Sequence, residues 1–438
     1  MRQRVVVTGI GAITPIGHGA AGLLDGIRTG RPGVKAIERF DASAFGSRVA
    51  AEVTDFDAAR DLDGKQARRL DRFAQFAVVS GRQAAADAGL DLSCVDRQRC
   101  GVFIGTALGG AAFAEEQYNV YLREGIRRVR PTLALSVFGG AASCNIAIDL
   151  GLTGPTSANS DSCASAAIAI GEAARLIAHG DADLMLAGGV ECPLTPLIFG
   201  AFDLIRAMST RNDAPAAACR PFDRGRDGFV MGEAAAVLVL ERLEHALSRG
   251  AAVYGEILGY ASTNDAYHMT APLPSGDQAA RAMRLALADA GLAPERIDYI
   301  NAHGSSTPLN DTTETRAIKM VFGAHARRIP ISATKSMHGH ALGATGAVEA
   351  AICMLTLRHG FLAPTINLEE PDPECDLDYV PHQGRPAQVS HLLSNSFGFG
   401  GINAALVFGR APGPGPRVDP AGSRPTTSQD PAPGSAAP

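Results

Sequence analysis

Cys163 follows Ser160, Asp161 and Ser162. It precedes a run carrying Ala164, Ala166, Ala167, Ile168, Ala169, Ile170, Ala173, Ala174, Leu176, Ile177 and Ala178. A helix of that composition is apolar on nearly every face and belongs in a core. Ser160, Asp161 and Ser162 can cap it and Gly180 can end it. A thiol at a helix N-terminus meets unpaired N–H groups and the positive end of the dipole, and both favour the nucleophilic thiolate. The same pattern fits a buried structural cysteine equally well, so other parts of the chain must decide.

Three further stretches concentrate polar residues after apolar ones. The first is Asn301-Ala302-His303-Gly304-Ser305-Ser306-Thr307-Pro308. The second is Lys335-Ser336-Met337-His338-Gly339-His340, followed by Gly343, Thr345 and Gly346. Its two histidines have the look of a metal pair, but no carboxylate or cysteine stands near them in sequence. The third is Ser396-Phe397-Gly398-Phe399-Gly400-Gly401. It joins a strand to a strand, whereas phosphate loops use a helix N-terminus. Backbone N–H donation to a reacting oxygen is the better reading. All four stretches fall at the C-terminal ends of expected strands, where parallel sheets build their sites.

The positioning elements follow from the pattern of apolar runs. Residues 4–8, 100–105, 183–188, 234–240, 299–302, 329–333, 392–395 and 404–408 read as buried strands. Residues 19–29, 66–88, 133–150, 277–290, 311–322 and 345–358 read as helices. Residues 209–231 form a long polar loop of the kind that is usually functional. Strand, helix, strand, helix and two closing strands occur in both halves, a weak repeat in sequence but a suggestive one in layout. This rhythm predicts an α/β fold with a mostly parallel, buried sheet.

Composition narrows the function classes. The chain has 438 residues, 46% hydrophobic, with a net charge of -5, which points to neither nucleic acid nor a membrane surface. None of the 8 cysteines forms a CxxC pair, which argues against a zinc site or a disulfide framework. A reducing, cytoplasmic setting is expected. Thr8, Gly9, Gly11, Thr14 and Pro15 interrupt the apolar N-terminus, which reads as strand and loop rather than signal peptide. No apolar run reaches the ~18 residues of a membrane span. Eight of the 26 prolines fall in the last 28 residues, so 411–438 reads as a disordered tail.

The motifs VTGIGAITPIG, DSCASAA, RAMSTRND, RPFDRGRDGFVMGEAA, NAHGSSTPLND, KSMHGHALGATGA and SNSFGFGGIN stand in that order between Val5 and Phe408. Together they resemble the elongating β-ketoacyl-acyl carrier protein synthases, condensing enzymes of the thiolase fold. The resemblance implies two pseudo-repeated halves, 1–250 and 251–410, in an α-β-α-β-α layered arrangement, with 411–438 outside it. It implies Cys163 as the acyl-accepting nucleophile, His303 and His340 as the decarboxylation and condensation pair, and Lys335 as the supporting charge, paired with Glu314. The N–H groups of Cys163 and Phe399 would form an oxyanion hole, with Phe399 also a gate for the acyl chain. Leu108 would line the acyl pocket, and Thr270, Ser305 and Thr307 the pantetheine arm. Lys65, Arg68, Arg69 and Arg206 would dock an acidic acyl carrier protein, although they also fit a solvated helix face.

No flavin, nicotinamide or catalytic metal is implied, because acyl and malonyl groups arrive on the carrier's phosphopantetheine. A structural monovalent cation near Asn301, Glu349 and Asn395 is implied by the resemblance alone. So is a homodimer, or a heterodimer with a chain-length-factor-like subunit. One departure is notable: the family usually has small or hydroxyl residues before the cysteine, often Thr-Ala, where Asp161 and Ser162 stand here. A carboxylate facing the thiolate would hinder acylation, so Asp161 is expected to point away from it. The departure and the tail favour polyketide or specialised acyl elongation over housekeeping fatty acid elongation. A non-catalytic partner subunit is disfavoured by Cys163, a degradative thiolase by the lack of cysteine in 396–403, and an initiating synthase by the His-Gly-His motif.

Overall fold

The computed structural model describes residues 2–410; the expectation for 411–438 lies outside them. The first half supplies β1 (Val5–Thr14), α1 (Gly19–Thr29), α2 (Gly64–Arg69), α3 (Arg72–Asp87) and β2 (Cys100–Gly105). It continues through α4 (Ala111–Glu124), α5 (Ala141–Leu150), β3 (Thr156–Asn159), α6 (Ser165–His179), β4 (Leu184–Glu191), α7 (Pro196–Leu204) and β5 (Ala234–Arg242). The second half has β6 (Gly255–Asn264), α8 (Asp277–Ala290), β7 (Tyr299–Asn301), α9 (Pro308–Phe322) and β8 (Ile331–Ser332). It ends with α10 (Thr345–His359), β9 (His391–Gly398) and β10 (Ile402–Gly409).

Hydrogen bonding runs in the order β8-β7-β9-β10-β6-β1-β5-β4-β2-β3. Each five-strand half has the same order, and the two meet in a short antiparallel contact at Val5–Val7 against Gly255–Ile257. The helices α6 and α10 each touch strands of both halves and form the middle layer. Outside lie α3 and α5 on one sheet and α8 and α9 on the other. This is the five-layered, duplicated thiolase-like arrangement. Composition explains the middle layer: Thr345 to Leu357 of α10 are all buried, and a large apolar side chain taken out of water contributes roughly 1.5–3 kcal/mol.

Several expectations change. The sheet is mixed: β2 pairs in parallel with β3 and β4, and β7 with β8 and β9, but every pairing among β4, β5, β1, β6, β10 and β9 along that order is antiparallel. The expected helix over 66–88 is two, because Leu70 leaves helical geometry and Asp71 starts the next helix in an extended conformation. The expected helix over 133–150 breaks at Gly139 and Gly140 into Leu133–Ser136 and α5. Strand β6 and helices α4 and α7 stand where no element was expected. No helix among the described residues is long and apolar enough to cross a membrane.

Gly171 of α6 faces β6, and a Cβ there would lie 2.2 Å from the Tyr260 ring. Replacing it with Ala should destabilise the protein by about 1–3 kcal/mol through overpacking, despite the ~1 kcal/mol by which Ala favours a helix. A lower urea midpoint is the expected reading; an unchanged one would mean that the ring yields freely.

Candidate functional site

Strands β3, β7, β8 and β9 end at one edge, and the four polar stretches follow them there. After β3 the chain turns through Ser162, whose φ of 54° is left-handed. Such a conformation in a non-glycine residue is strained by about 1–3 kcal/mol. The turn Ser162–Ala164 then leads into α6. No side chain caps the turn or the helix. Instead Ser165 Oγ accepts from the Asp161 N–H at 2.8 Å and donates to the carbonyls of Ser162 and Thr106, at 2.6 and 3.0 Å. Gly180 ends the helix in left-handed geometry, as expected.

Cys163 is 8% exposed. Its Sγ lies 3.1 Å from His340 Nε2, and the far nitrogen of that ring, Nδ1, lies 2.9 Å from Thr345 Oγ1. The rings of His303 and His340 are 5.4 Å apart and nearly perpendicular, and Phe229 stands edge-on to His340. Both histidines are buried. Desolvation first, and the charge of Lys335 second, hold both well below the ordinary histidine range, so they are neutral. Burial also pushes the Cys163 thiol upward, against the Ser162 hydroxyl, the Lys335 charge and the Phe399 N–H. The helix dipole does not make a resting thiolate here; the group positioned to take the proton is His340.

Beneath the histidines lies Lys335, with no exposed surface. Its Nζ donates to the His303 carbonyl and, at 2.5 Å, to Glu349 Oε1. This corrects the expected pairing with Glu314. That carboxylate instead accepts from the His303 and Gly304 N–H groups, both at 2.8 Å, and from Asn395 Nδ2 at 3.0 Å. Glu314 and Lys335 thus grip the two sides of the His303 backbone. His338 is also neutral, pushed down to about 3 by burial, and pairs with Thr334 rather than facing a metal. Asn301 Oδ1, Glu349 Oε2 and Asn395 Oδ1 are among the buried oxygens that lack partners. Two amide oxygens and a carboxylate oxygen fit a hard monovalent cation.

Cys163, His303, His340 and Phe399 open into a cleft of about 500 Å³ that also includes Leu108, Thr270, Ser305, Thr307 and Arg206. Ser305 and Thr307 share a hydrogen bond of 2.9 Å between hydroxyls. Gly398 lies over the Cys163 turn: a Cβ there would come within 3.1 Å of the Cys163 nitrogen, so glycine leaves room for an oxygen. The Phe399 ring stacks on Phe202 at 6.3 Å. Asp161 is half-buried and, unlike its neighbours Ser160 and Ser162, does not line the cleft. Lys65, Arg68 and Arg69 are exposed on α2 but do not reach the cleft; Arg206 does.

The sequence had not indicated Thr345, Phe202 or Phe229 as site residues, or Glu349 as the partner of Lys335. Glu349 carried a readable signal: it is the one charge within the buried run from Thr345 to Leu357, and such a charge needs a partner.

Of the two histidines, only His340 touches the thiol. His340→Ala should slow alkylation of Cys163 by iodoacetamide about 10²-fold or more, and its rate should climb only at pH above the ordinary thiol range. His303→Ala should change the alkylation rate little. Equal losses in the two variants would contradict this division.

The comparisons with known proteins agree with this geometry. The family model for the β-ketoacyl synthase N-terminal domain matches residues 2–246, and that for the C-terminal domain matches 254–369. The 3-oxoacyl-[acyl-carrier-protein] synthase 2 of Synechocystis is 51% identical, over 93% of this chain and 98% of its own length. That of Coxiella burnetii is 48% identical, over 93% and 99%. A β-ketoacyl synthase structure from Burkholderia phymatum superposes with a TM-score of 0.86 at 38% identity, covering 93% of this chain and all of the other. A type II polyketide ketosynthase, solved with its acyl carrier protein and bound to a hexaketide, superposes with a TM-score of 0.87 at 38% identity, covering 94% and all. The chain belongs to the β-ketoacyl synthase family of condensing acyltransferases.

Proposed function

We propose that the protein joins an acyl chain held on Cys163 to a malonyl unit carried by acyl carrier protein, with loss of CO₂, to give β-ketoacyl-acyl carrier protein. The observation that carries this reading is the convergence of one thiol and two neutral imidazoles in the lining of a largely apolar cleft.

In the first step the Cys163 sulfur attacks the acyl thioester and its proton passes to His340 Nε2, 3.1 Å away. The N–H groups of Cys163 and Phe399 receive the developing oxyanion, where loss of one donor typically costs ~3 kcal/mol. The carrier's thiol leaves with the proton that His340 had taken from Cys163, and the imidazole returns to its neutral form. In the second step the malonyl carboxylate departs as CO₂, and its electron pair forms an enolate. Neutral His303 and His340 donate to the enolate oxygen without protonating its carbon. That carbon attacks the acyl carbonyl, and the Cys163 sulfur leaves as thiolate and takes up a proton from solvent, which restores the thiol. A cation held by Asn301, Glu349 and Asn395 would balance charge behind Lys335 and touch no reacting atom. Ser305, Thr307 and Thr270 are placed for the pantetheine arm, Leu108 for the acyl chain, and Phe399 for the gate. Lys65, Arg68, Arg69 and Arg206 are proposed to meet the acidic carrier.

The curated relatives above are named as 3-oxoacyl-acyl carrier protein synthases, which favours elongation of fatty acyl chains. The polyketide ketosynthase structure at 38% identity keeps polyketide extension as the second reading. A second subunit, the same chain or a chain-length-factor-like partner, is proposed to cover β3. This strand ends the sheet order, is exposed or half-buried, and packs beside α5, whose Ile148 is 78% exposed.

Incubation with acyl-loaded carrier should add the acyl mass to Cys163, and adding malonyl-loaded carrier should release a product two carbons longer. Cys163→Ala should abolish both. His303→Ala should keep the adduct but lose at least about 10²-fold in condensation. No adduct on the wild-type protein would refute the reading. A single round of extension to a reducible β-ketoacyl product supports fatty acyl work; repeated unreduced extension supports polyketide work.

A further inference from the structure

The two halves place the same corner twice. Cys163 stands two residues before α6, and Gly343 stands two residues before α10. Ser162 and Leu342, just ahead of them, both have left-handed φ, at 54° and 39°. The last residue of β9, Gly398, lies over the Cys163 amide and keeps that corner open. The last residue of β4, Glu191, lies over the Gly343 amide and fills that corner with its own carboxylate.

Glu191 has no exposed surface. Its Oε2 accepts from the Ala107 N–H at 2.5 Å and the Gly343 N–H at 3.0 Å. Its Oε1 accepts from the Leu108 N–H and the Thr106 hydroxyl, both at 3.1 Å. The donors come from both halves: the loop after β2 and the turn three residues beyond His340. The carbonyls of that same loop are held from the other side, Ala107 by Ser160 Oγ at 2.8 Å and Thr106 by Ser165 Oγ at 3.0 Å. The loop is therefore strapped to the Cys163 turn by the carbonyls of Thr106 and Ala107, and the amides of Ala107 and Leu108 are linked through Glu191 to the His340 turn. Both residues line the cleft.

We propose that Glu191 is a positioning residue that fixes the Ala107–Leu108 wall of the cleft between the Cys163 and His340 turns, and so sets which acyl chains Cys163 accepts. It touches neither substrate nor reacting atoms. Its charge adds to the burial that pushes the Cys163 thiol upward, an effect common to every acyl donor, so what depends on chain length acts through the loop. Burial pushes its carboxyl up to about 7, against the pull of the amides that surround it. The anion is held by N–H groups and a hydroxyl, all of which depend on an acceptor. In Glu191→Gln one pair of donors would face the NH₂ group, so the loop would shift while the side-chain volume stays the same.

The inference rests on the proposed acylation of Cys163. Its test measures kcat/KM for acylation of Cys163 by dodecanoyl- and acetyl-loaded acyl carrier protein, in the full chain. On this proposal a long chain extends along Leu108, which lines the same cleft as Cys163, whereas an acetyl group stays beside the sulfur. Glu191→Gln should lower the dodecanoyl value at least about tenfold and the acetyl value by less than about twofold. In a Leu108→Ala background the dodecanoyl loss from Glu191→Gln should shrink to less than about twofold, since the two changes act on one wall. If Glu191→Gln does not fold, Glu191→Asp, which keeps the acceptor on a shorter stem, should show the same chain-length dependence. Equal losses for the two donors, no loss, or a loss unchanged by Leu108→Ala would overturn the inference while leaving the condensing reading intact. A wild-type protein acylated by neither donor would overturn both.

Discussion

The site depends on an ammonium group kept entirely out of water. Transferring such an ion to a low-dielectric interior costs several kcal/mol even after relaxation, unless every proton finds an acceptor. Lys335 finds acceptors for two of its three protons, in Glu349 and in the carbonyl of His303. The consequence reaches the chemistry directly. A positive charge beneath two imidazoles, in a place already dry, disfavours their protonated forms twice over. Both rings are thereby kept as neutral donors, which suits stabilising an enolate without quenching it. The backbone of His303 is held on one side by this cation and on the other by Glu314, so the charge that sets protonation also helps fix the position of the ring.

Duplication supplies the frame in which this happens. Two copies of one layered unit bring two equivalent turns, each entering a buried helix, to the same region. Had both kept the same residues, the molecule would carry two weak anion sites. One turn instead holds a thiol under a glycine, and the other holds a glycine under a carboxylate. The glycine at 343 is required by space: a Cβ there would lie 2.2 Å from the Ala107 nitrogen. The second corner is closed by the protein's own anion, and its amides hold a loop rather than a substrate.

Much of this was legible in the chain and some was not, for physical reasons. Motifs in sequence order named the thiol, the imidazoles and the lysine, because each sits in a short stretch whose glycines and polar residues have no place in a strand or helix interior. Strand direction was not legible. Runs such as AAAVLVL in β5 and ALVF in β10 are buried on both faces whichever way their neighbours run, so an apolar run cannot report parallel from antiparallel pairing. Strand β6 was missed because glycines and polar residues dilute its alternation. Glu349 signalled that it needs a partner, but which carboxylate Lys335 takes was not legible, since Glu314 and Glu349 stand on separate helices on either side of it in sequence. Only the packing of α10 between the sheets selects Glu349.

A cysteine at a helix N-terminus invites the inference that the dipole ionises it, and here the magnitudes oppose that inference. A helix end contributes typically 0.3–1 kcal/mol, at most about 2, which is of the order of one pKa unit. Burial works against it and wins, since the Cys163 thiol lies above its ordinary value. Nor does the neighbouring histidine hold the proton at rest, because it too is shifted toward its neutral form. Thiol and imidazole therefore wait as an uncharged hydrogen-bonded pair, 3.1 Å apart. In the proposed reaction, charge separation becomes favourable only when an acyl carbonyl sits above the sulfur and the amides of Cys163 and Phe399 can take the negative charge as it forms. The same dryness that suppresses a resting thiolate makes those amides more effective, so reactivity is tied to the presence of the substrate.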